Sequence, residues 1–332
     1  MGGGVGLGGA CIFARAPVFV FWFPLDSQLS PHTIPCVRAC VIFNPAAKGE
    51  KAREFRDLLD TIARECVLKK TIVAGDARQL ATAAIAEGFE LIIAAGGDGT
   101  LNEVLNGIGD APDGFSRACL GVLPLGTVNV FARELKIPLS PDAAWKTICN
   151  GREIRADLPW AEFSANGKTE RRYFAQMAGA GLDARAIELV SWSLKKKIGP
   201  LAYVVAGLQA LSGKLPRVTA NNGQSSFTGE MVLIGNGQLY GGDYRVFSQA
   251  SAQDGKLDIC VFPKAGWLTL IRCVLPLLVR GELPECAVRR FQTGHLTLSA
   301  DSAATFELDG ELVGQLPAMI SLSRGGLRVR VP

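Results

Sequence analysis

A glycine-rich turn that contains one acidic residue is the part of this sequence with the clearest chemistry. The segment Gly96-Gly97-Asp98-Gly99-Thr100 follows an apolar stretch, residues 91–95, and precedes a helical pattern. Glycine lets the backbone adopt positive φ and lets a phosphate approach the chain, while the N–H groups at the start of the next helix point towards the anion. The spacing therefore predicts a phosphate-binding turn between a buried strand and a helix.

Asp98 is the unexpected residue of this turn, because a carboxylate repels phosphate unless it holds a cation or a proton. Its presence favours Mg²⁺-dependent phosphoryl transfer over simple nucleotide docking. Thr100 and Glu103 have the spacing of a capping box, which by itself would explain both residues as a helix start. A purely structural turn is thus the alternative interpretation of the segment.

A second turn of small residues follows the next apolar stretch, residues 119–123. Thr127 and Asn129, in the sequence Gly126-Thr127-Val128-Asn129, offer a hydroxyl and an amide to a phosphate or a ribose. An ordinary helix cap is the alternative interpretation.

Charge and composition exclude several classes of function. A net charge of +4 over 332 residues is too small to indicate a nucleic-acid partner. The nine cysteines are scattered and never spaced as Cys-x-x-Cys, which indicates reduced thiols and argues against a disulfide framework or a zinc site. With His32 and His295 as the only histidines, a histidine-based triad is nearly excluded, so a general base is expected to be a carboxylate.

The elements that position these turns alternate between strand and helix from Cys36 onwards. Apolar strands are predicted at 37–43, 69–73, 91–95 and 119–123, and helices at 50–66 and 77–87. Such alternation predicts a parallel sheet, in which ligands bind at the carboxyl ends of the strands. Asn44, Thr71 and the glycine turn are therefore expected to converge on one nucleotide.

Three regions differ in character along the chain. Residues 1–35, which are rich in glycine at the start, are expected to be a mobile tail outside the fold. Residues 36–158 have the α/β pattern, and residues 159–332 contain short strand-like stretches separated by turn signals.

Four motifs, taken together, resemble one family. They are Gly96-Gly97-Asp98-Gly99-Thr100 with Asn102-Glu103, Gly126-Thr127-x-Asn129 with Phe131-Ala132-Arg133, Asp254-Gly255-x-Leu257-Asp258, and Asp309-Gly310-Glu311. In this order they resemble the diacylglycerol kinase catalytic family, and within it the bacterial YegS-like lipid kinases, with sphingosine and ceramide kinases as relatives. The resemblance covers residue 36 to the end of the chain.

The resemblance implies a three-layer α/β nucleotide-binding domain with a parallel sheet, then a β-sandwich lipid-substrate domain whose last segment returns to the first domain. ATP would lie in the cleft between them. The residues that would bind ATP are Asn44, Thr71, Gly96, Gly97, Asp98, Gly99, Thr100, Asn102, Glu103, Gly126, Thr127 and Asn129. Mg²⁺ would be held by Ser251, the Asp254 carboxylate and the main-chain carbonyl of Lys256.

The resemblance also implies that Glu311 is the general base that accepts the proton of the lipid hydroxyl. Asp98 is the rival candidate, and Asp309-Gly310 is in addition a favoured hairpin dipeptide. The chain departs from the family pattern at Val130, where an aspartate is frequent.

The implied substrate is diacylglycerol or a related lipid, and the implied location is cytoplasmic with peripheral contact at the inner membrane surface. The basic run Lys195-Lys196-Lys197 beside an apolar stretch fits such contact, and residues 201–211 and 267–278 are candidates to line an acyl-chain groove. The sequence leaves the oligomeric state open, a homodimer included.

Two other functions stay open at this level. One is a soluble-substrate kinase of the NAD kinase type, which shares the glycine-aspartate turn. The other is a non-catalytic nucleotide- or lipid-binding module that retains the fold.

Overall fold

The computed structural model describes residues 37–45, 50–165, 167–189, 209–211, 213–269, 272–273, 276, 283–284 and 288–332. The expected tail at 1–35, the basic run at 195–197 and most of the two predicted groove stretches lie outside the described residues. One compact unit spans His32–Pro332.

The N-terminal domain is built on four parallel strands. In chain order its elements are β1 Ala39–Phe43, α1 Glu50–Glu65, β2 Val67–Lys70, α2 Asp76–Ala86, β3 Leu91–Gly96, α3 Asp98–Asp110, α4 Gly114–Arg117, β4 Cys119–Pro124, α5 Val130–Glu134 and α6 Pro141–Asn150. The strands lie in the order β2-β1-β3-β4, and every residue of β3 and β4 is buried. Strands buried on both faces are continuous apolar runs, which is why the sequence pattern predicts them well.

Two pairs of helices cover this sheet. Helix α2 packs against α3, and α1 packs against α6, while each pair also contacts the strands. Helix α6 is an element that the sequence analysis missed. Its start is nevertheless marked in the sequence, because the Ser140 side chain accepts a hydrogen bond from Ala143 N and Pro141 follows as the first helical residue.

The C-terminal part is mainly antiparallel. Its elements are β5 Arg152–Ala165, β6 Lys168–Tyr173, β7 Met177–Gly181, α7 Leu182–Leu189, β8 Val218–Asn221, β9 Ser226–Gly229, β10 Met231–Gly235, β11 Leu239–Tyr240, β12 Tyr244–Arg245, β13 Leu257–Phe262, β14 Arg289–Thr293, β15 His295–Ala300, β16 Thr305–Leu308, β17 Glu311–Gln315 and β18 Ala318–Val331. Strands β14-β13-β10-β7-β16-β17 form one sheet, and β18, β15, β8 and β9 continue the sheet of the N-terminal domain.

These two sheets pack face to face as a β-sandwich, which confirms the predicted fold class together with the α/β domain. Phe163 of β5 and Phe306 of β16 meet edge to face across the interior, with ring centroids 5.1 Å apart. Such a ring pair adds about 1 kcal/mol to the apolar burial. The long strand β18 pairs with β4 in parallel and with β5 in antiparallel, so the end of the chain lies within the first sheet.

The second strand differs from its predicted bounds of 69–73. It ends at Lys70, because the main-chain N–H groups of Ile72 and Val73 donate to Asp76 Oδ2 instead of joining the sheet. Ile72 is 85% exposed, so its apolar character, which suggested a buried strand, misled the prediction.

Within the described residues, no helix has the length and apolar character needed to cross a membrane. Burial raises the pKa of the Cys40 thiol to about 11 and that of the Cys66 thiol to about 12, so neither is an ionised nucleophile at neutral pH.

Candidate active site

The carboxyl ends of the four parallel strands bring the predicted nucleotide residues to one edge. Thr71 N donates to Phe43 O over 2.9 Å, and Asn44 N donates to Ala95 O over 3.2 Å. These hydrogen bonds join the residues that follow β2 and β1 to their neighbouring strands. Thr71, Asn44 and the two glycine turns therefore lie side by side in the order of the strands, as the sequence analysis expected.

The two glycine turns pack backbone against backbone. A Cβ added to Gly126 would stand 2.5 Å from the Cα of Gly97, so only glycine fits at this contact. Gly126 N also donates to Gly96 O over 3.2 Å. Gly126 is thus required for the close approach of the two turns.

Asn129 closes its own turn. Its backbone has φ of 54°, its Oδ1 accepts from Gly126 N over 3.1 Å, and its Nδ2 donates to Gly126 O over 2.6 Å. The side chain is 3% exposed. Thr127, in contrast, is exposed at the edge of the sheet, where a ligand can reach its hydroxyl.

Asp98 joins the first glycine turn to the second. Its Oδ2 accepts from Asn129 N over 2.9 Å, and its Oδ1 accepts from Val130 N over 2.8 Å, at the start of α5. Burial and then the charge of Asp309 raise the pKa of Asp98, while the main-chain N–H donors act in the opposite direction. Both carboxylate oxygens are thereby engaged with the backbone.

The predicted capping box of Thr100 and Glu103 is wrong. Helix α3 begins at Asp98 with Gly97 as its N-cap, so Thr100 lies inside the first turn, and its hydroxyl packs against Gly96. Glu103 instead accepts from Gly75 N over 2.9 Å and from Ala77 N over 3.0 Å at the start of α2. The glutamate caps the neighbouring helix, because α2 and α3 pack side by side.

Asp309 ties the C-terminal domain to α3. Its carboxylate accepts from the main-chain N–H groups of Ala175, Gln176 and Met177 over 2.7 to 3.0 Å, and from Asn102 Nδ2 over 3.0 Å. Burial raises the pKa of Asp309, and the four donors oppose that shift. Asp309 and Asn102 are therefore structural links between the two domains.

Asn106 reinforces this link and was missed by the sequence analysis. Its Oδ1 accepts from Tyr173 N over 2.9 Å, and its Nδ2 donates to Tyr173 O over 2.9 Å. Asn102 and Asn106 stand four residues apart on α3, a spacing that puts them on one face of the helix. The four-residue spacing of these two asparagines was the feature of the sequence that could have identified Asn106.

Glu311 lies at the glycine turn. Its Oε1 is 3.3 Å from the position that a Cβ of Gly99 would occupy, at the N-terminal end of α3. Burial, followed by the charges of Glu103 and Asp309, raises the pKa of Glu311, whereas the Arg172 charge lowers it. The site therefore combines a carboxyl group of raised pKa with a helix start and a nearby cation.

The predicted magnesium ligands Ser251, Asp254 and Lys256 lie on one turn, and their binding of Mg²⁺ stays a prediction. Asp254 Oδ1 accepts from Lys256 N over 2.9 Å, and Asp254 is the only carboxylate of the three. Among the described residues, no group of three or more His, Cys, Asp or Glu side chains could hold a metal ion. Mg²⁺ in proteins is bound through carboxylates and phosphates.

A cation of the protein itself lies on this turn. Arg324 Nη2 donates to Asp254 O over 3.2 Å, and the guanidinium lies against Gly255, where a Cβ would overlap it. Buried Asp157 holds the two segments together, because its Oδ2 accepts from Gly255 N over 2.6 Å and its Oδ1 from Gly325 N over 2.8 Å. Arg324 thus puts a positive charge beside the turn to which the prediction assigned Mg²⁺.

A nucleotide-binding α/β domain joined to a β-sandwich, with the glycine turn at their junction, defines the class of protein. Residues 38–160 match the sequence model of the diacylglycerol kinase catalytic domain, and residues 176–331 match that of the YegS C-terminal NAD kinase beta sandwich-like domain. This chain belongs to the diacylglycerol kinase catalytic family and is thereby a lipid kinase.

Curated relatives span nearly the whole chain. A protein named "Probable lipid kinase YegS-like" from Pseudomonas aeruginosa is 32% identical over 299 residues, which are 88% of this chain and 93% of the relative. A diacylglycerol kinase of Staphylococcus carnosus is 30% identical over 293 residues, which are 85% of this chain and 90% of the relative.

Solved structures agree on the fold. A crystal structure of a diacylglycerol kinase from Bacillus anthracis has a TM-score of 0.71 at 22% identity and covers 89% of this chain and 97% of that one. Yeast NADH kinase complexed with NADH has a TM-score of 0.50 at 8% identity and covers 88% of this chain and 78% of that one. At such identities the likeness concerns the fold alone.

Proposed function

We propose that this protein is an ATP- and Mg²⁺-dependent kinase that transfers the γ-phosphate of ATP to a hydroxyl group of diacylglycerol or a related lipid, with Glu311 as general base. In this reaction the carboxylate accepts the hydroxyl proton, the hydroxyl oxygen bonds to the γ-phosphorus, and the bond from that phosphorus to the bridging oxygen breaks to release ADP. Family membership supports the kinase activity.

The contact between Glu311 and Gly99 is the observation that supports this assignment best. The first-turn N–H groups of a helix lack acceptors within the helix, so the start of α3 is suited to hold phosphate oxygens. A carboxylate at the same place can accept the proton of an alcohol that attacks the phosphate. The raised pKa of Glu311 makes it a better proton acceptor while it is ionised.

Asp98 is the weaker candidate for the base. Its two oxygens accept from Asn129 N and Val130 N, and these donors favour the ionised form and so oppose proton uptake. We therefore assign Asp98 to holding the two turns together. Asn102, Glu103 and Asn129 likewise shape the site, since their polar side-chain atoms are bonded to protein groups.

The nucleotide would lie along the edge formed by Asn44, Thr71, the glycine turn and Thr127. Gly99 and Thr127 are exposed there. Arg172, whose charge acts on Glu311, would help to neutralise the transferred phosphate. We propose that Mg²⁺ enters as part of the nucleotide substrate, because Arg324 places a competing cation at the Asp254 turn.

A lipid acceptor requires contact with a membrane or micelle surface. Trp267 and Leu268 follow β13 with 57% and 62% exposure, and exposed Lys264 precedes them. An exposed aromatic and aliphatic pair beside a cation is typical of peripheral membrane contact. It supports the prediction of an enzyme that associates with membranes at their surface.

The test is transfer of labelled γ-phosphate from ATP and Mg²⁺ to micelles of diacylglycerol, monoacylglycerol, phosphatidylglycerol, sphingosine or ceramide, with NAD as a soluble acceptor. We expect label in a lipid with the wild type and with Glu54→Gln, an exposed control on α1. Glu311→Gln should lower the rate of transfer by about 10²- to 10⁴-fold. Label in NAD alone, or in no acceptor, would overturn the proposal.

A further inference from the structure

Two carboxyl groups meet in the interior of the β-sandwich, behind the turn that bears Glu311. Asp183 lies in the first turn of α7 and is 6% exposed, and Glu307 lies on β16 and is fully buried. A Cβ added to Gly179 of β7 would stand 2.8 Å from Glu307 Oε1 and would overlap Asp183 Oδ2. Gly179 therefore leaves the space in which the two carboxyl groups approach each other.

Each carboxyl group has one oxygen with a donor. Tyr240 Oη donates to Asp183 Oδ1 over 2.5 Å, and Gly310 N donates to Glu307 Oε2 over 2.6 Å. The other two oxygens, Asp183 Oδ2 and Glu307 Oε1, are buried and have no hydrogen-bond donor in the described part of the chain. They are the same two atoms that converge at Gly179.

Two ionised carboxylates in this position would be costly, because burial penalises each charge and the charges repel each other. A single proton between Asp183 Oδ2 and Glu307 Oε1 removes one charge and gives each oxygen a hydrogen-bond partner. Burial first, and then the Asp183 charge, raises the pKa of Glu307 well above its ordinary value. Burial also raises the pKa of Asp183, which fits a shared proton.

The charged groups around Asp183 and Glu307 do not neutralise the pair in place of that proton. Tyr240 of β11 faces Asp183, and Asp309, in the turn after β16, adds a further negative charge near Glu307. The other charged groups of the packed elements are engaged elsewhere: Arg185 pairs with Glu188 on α7, and Glu230, before β10, accepts from Ala265 N.

We propose that Asp183 and Glu307 share one proton, and that the protonated pair fixes the Asp309-Gly310-Glu311 turn in the position where Glu311 reaches the glycine turn. This inference rests on the proposed function, in which Glu311 is the base. Asp183 and Glu307 are positioning residues, since neither contacts the reacting atoms.

The connection runs through a single hydrogen bond. Glu307 Oε2 holds Gly310 N, and Glu311 is the next residue along the chain. With the proton in place, Glu307 donates through Oε1 to Asp183 and keeps Oε2 as an acceptor. Loss of the proton puts a second negative charge in the interior, which drives the carboxylates apart, breaks the hydrogen bond to Gly310 N and shifts Glu311, while Asp309 keeps its four donors.

Kinase assays across pH test the positioning role. Glu307→Gln keeps an acceptor for Gly310 N and supplies an amide N–H to Asp183 at every pH, so it should remain active at alkaline pH where wild-type kcat falls. Glu307→Met removes both hydrogen bonds, and we expect its kcat to fall on the order of 10²-fold with little change in KM for ATP, because Glu311 is misplaced. A Glu307→Gln profile that superimposes on the wild type, or a fully active Glu307→Met, would overturn the proposal.

A second measurement does not depend on catalysis. The infrared carbonyl band of a protonated carboxyl group should be present in the wild type and in Glu54→Gln at neutral pH, and absent in Glu307→Gln. If the band behaves in this way and no lipid is phosphorylated, the proposed function fails while the shared proton stands. If the wild type lacks the band, the shared proton is refuted whatever the activity.

Discussion

Glu311 Oε1 lies 3.3 Å from the point where a Cβ of Gly99 would stand, although the two residues belong to different domains and are far apart in the sequence. The contact puts a carboxyl group of β17 on the first turn of α3. A helix start favours a negative charge, so the turn can hold a carboxylate or a phosphate oxygen at the same place. Substrate phosphate and Glu311 are therefore expected to share the N-terminal end of α3.

Gly99→Ala should test what this contact contributes to catalysis while leaving the rest of the turn in place. The added methyl group would push the Glu311 carboxylate by a few tenths of an ångström, so we expect kcat to fall about tenfold while the melting temperature changes little. Gly266→Ala is the matched control, because a Cβ there meets no atom within 4 Å. Equal kcat values for the two variants would contradict a catalytic role of the contact.

Glu311→Gln should lower kcat by about 10²- to 10⁴-fold, the usual contribution of a general base, and leave nucleotide binding in place. Because burial raises the pKa of Glu311, wild-type kcat should fall with decreasing pH through a value above the ordinary glutamate pKa of about 4.3. A pH series of kcat and a nucleotide titration measure both effects.

The same substitution has a predicted effect on stability. A carboxyl group with a raised pKa stabilises the fold at low pH, and that contribution is lost as the pH rises through the raised value. Glu311→Gln has no such loss, so its melting temperature relative to the wild type should increase from acidic to neutral pH. A constant difference across that range would show that the Glu311 pKa is not raised in the fold.

Asp98→Asn should mainly lower the free energy of unfolding, whereas Glu311→Gln should mainly lower kcat. The amide replaces one acceptor oxygen with a donor that faces Asn129 N or Val130 N, so one main-chain N–H loses its partner. We expect a loss of about 1 to 3 kcal/mol in the free energy of unfolding, measured by denaturant titration. An Asp98→Asn variant that is inactive and as stable as the wild type would instead support Asp98 as the base.

Local patterns predicted the four strands and most helices of the N-terminal domain, though not α4 or α6, because buried strands and glycine turns are encoded by adjacent residues. Contacts between distant residues were not predictable in this way. Glu103 has the spacing of a cap for its own helix, yet it caps α2, whose first residues are 26 to 28 positions away. The sequence identified the residue and its capping chemistry but not the helix it serves.

The surroundings of the predicted Mg²⁺ turn were not predictable for a related reason. The Asp254-Gly255 turn is visible in the sequence, but Arg324 is 70 positions from Asp254 and reaches the turn only because Asp157 binds both segments. No spacing rule connects these three residues. The family resemblance identified the turn. Arg324, which adds a positive charge beside it, comes from a distant part of the chain.

Mg²⁺ alone should therefore leave the melting temperature of the wild type unchanged. The Arg324 guanidinium lies against the Asp254-Gly255 turn, and a second cation beside it would be repelled. The measurement is a thermal melt of chelator-treated protein with and without Mg²⁺, in the absence of nucleotide. A rise in melting temperature of the wild type would show that the turn holds the ion after all.

The combined substitution Ser251→Asp with Arg324→Ser should give the turn the properties of a metal site. It adds a second carboxylate and removes the nearby guanidinium, and both changes favour a divalent cation at this position. Mg²⁺ at ten times its dissociation constant would then stabilise the variant by about 1.4 kcal/mol. Ser251→Asp alone is the control, and because Arg324 remains in it, a similar gain there would mean that the arginine does not exclude the ion.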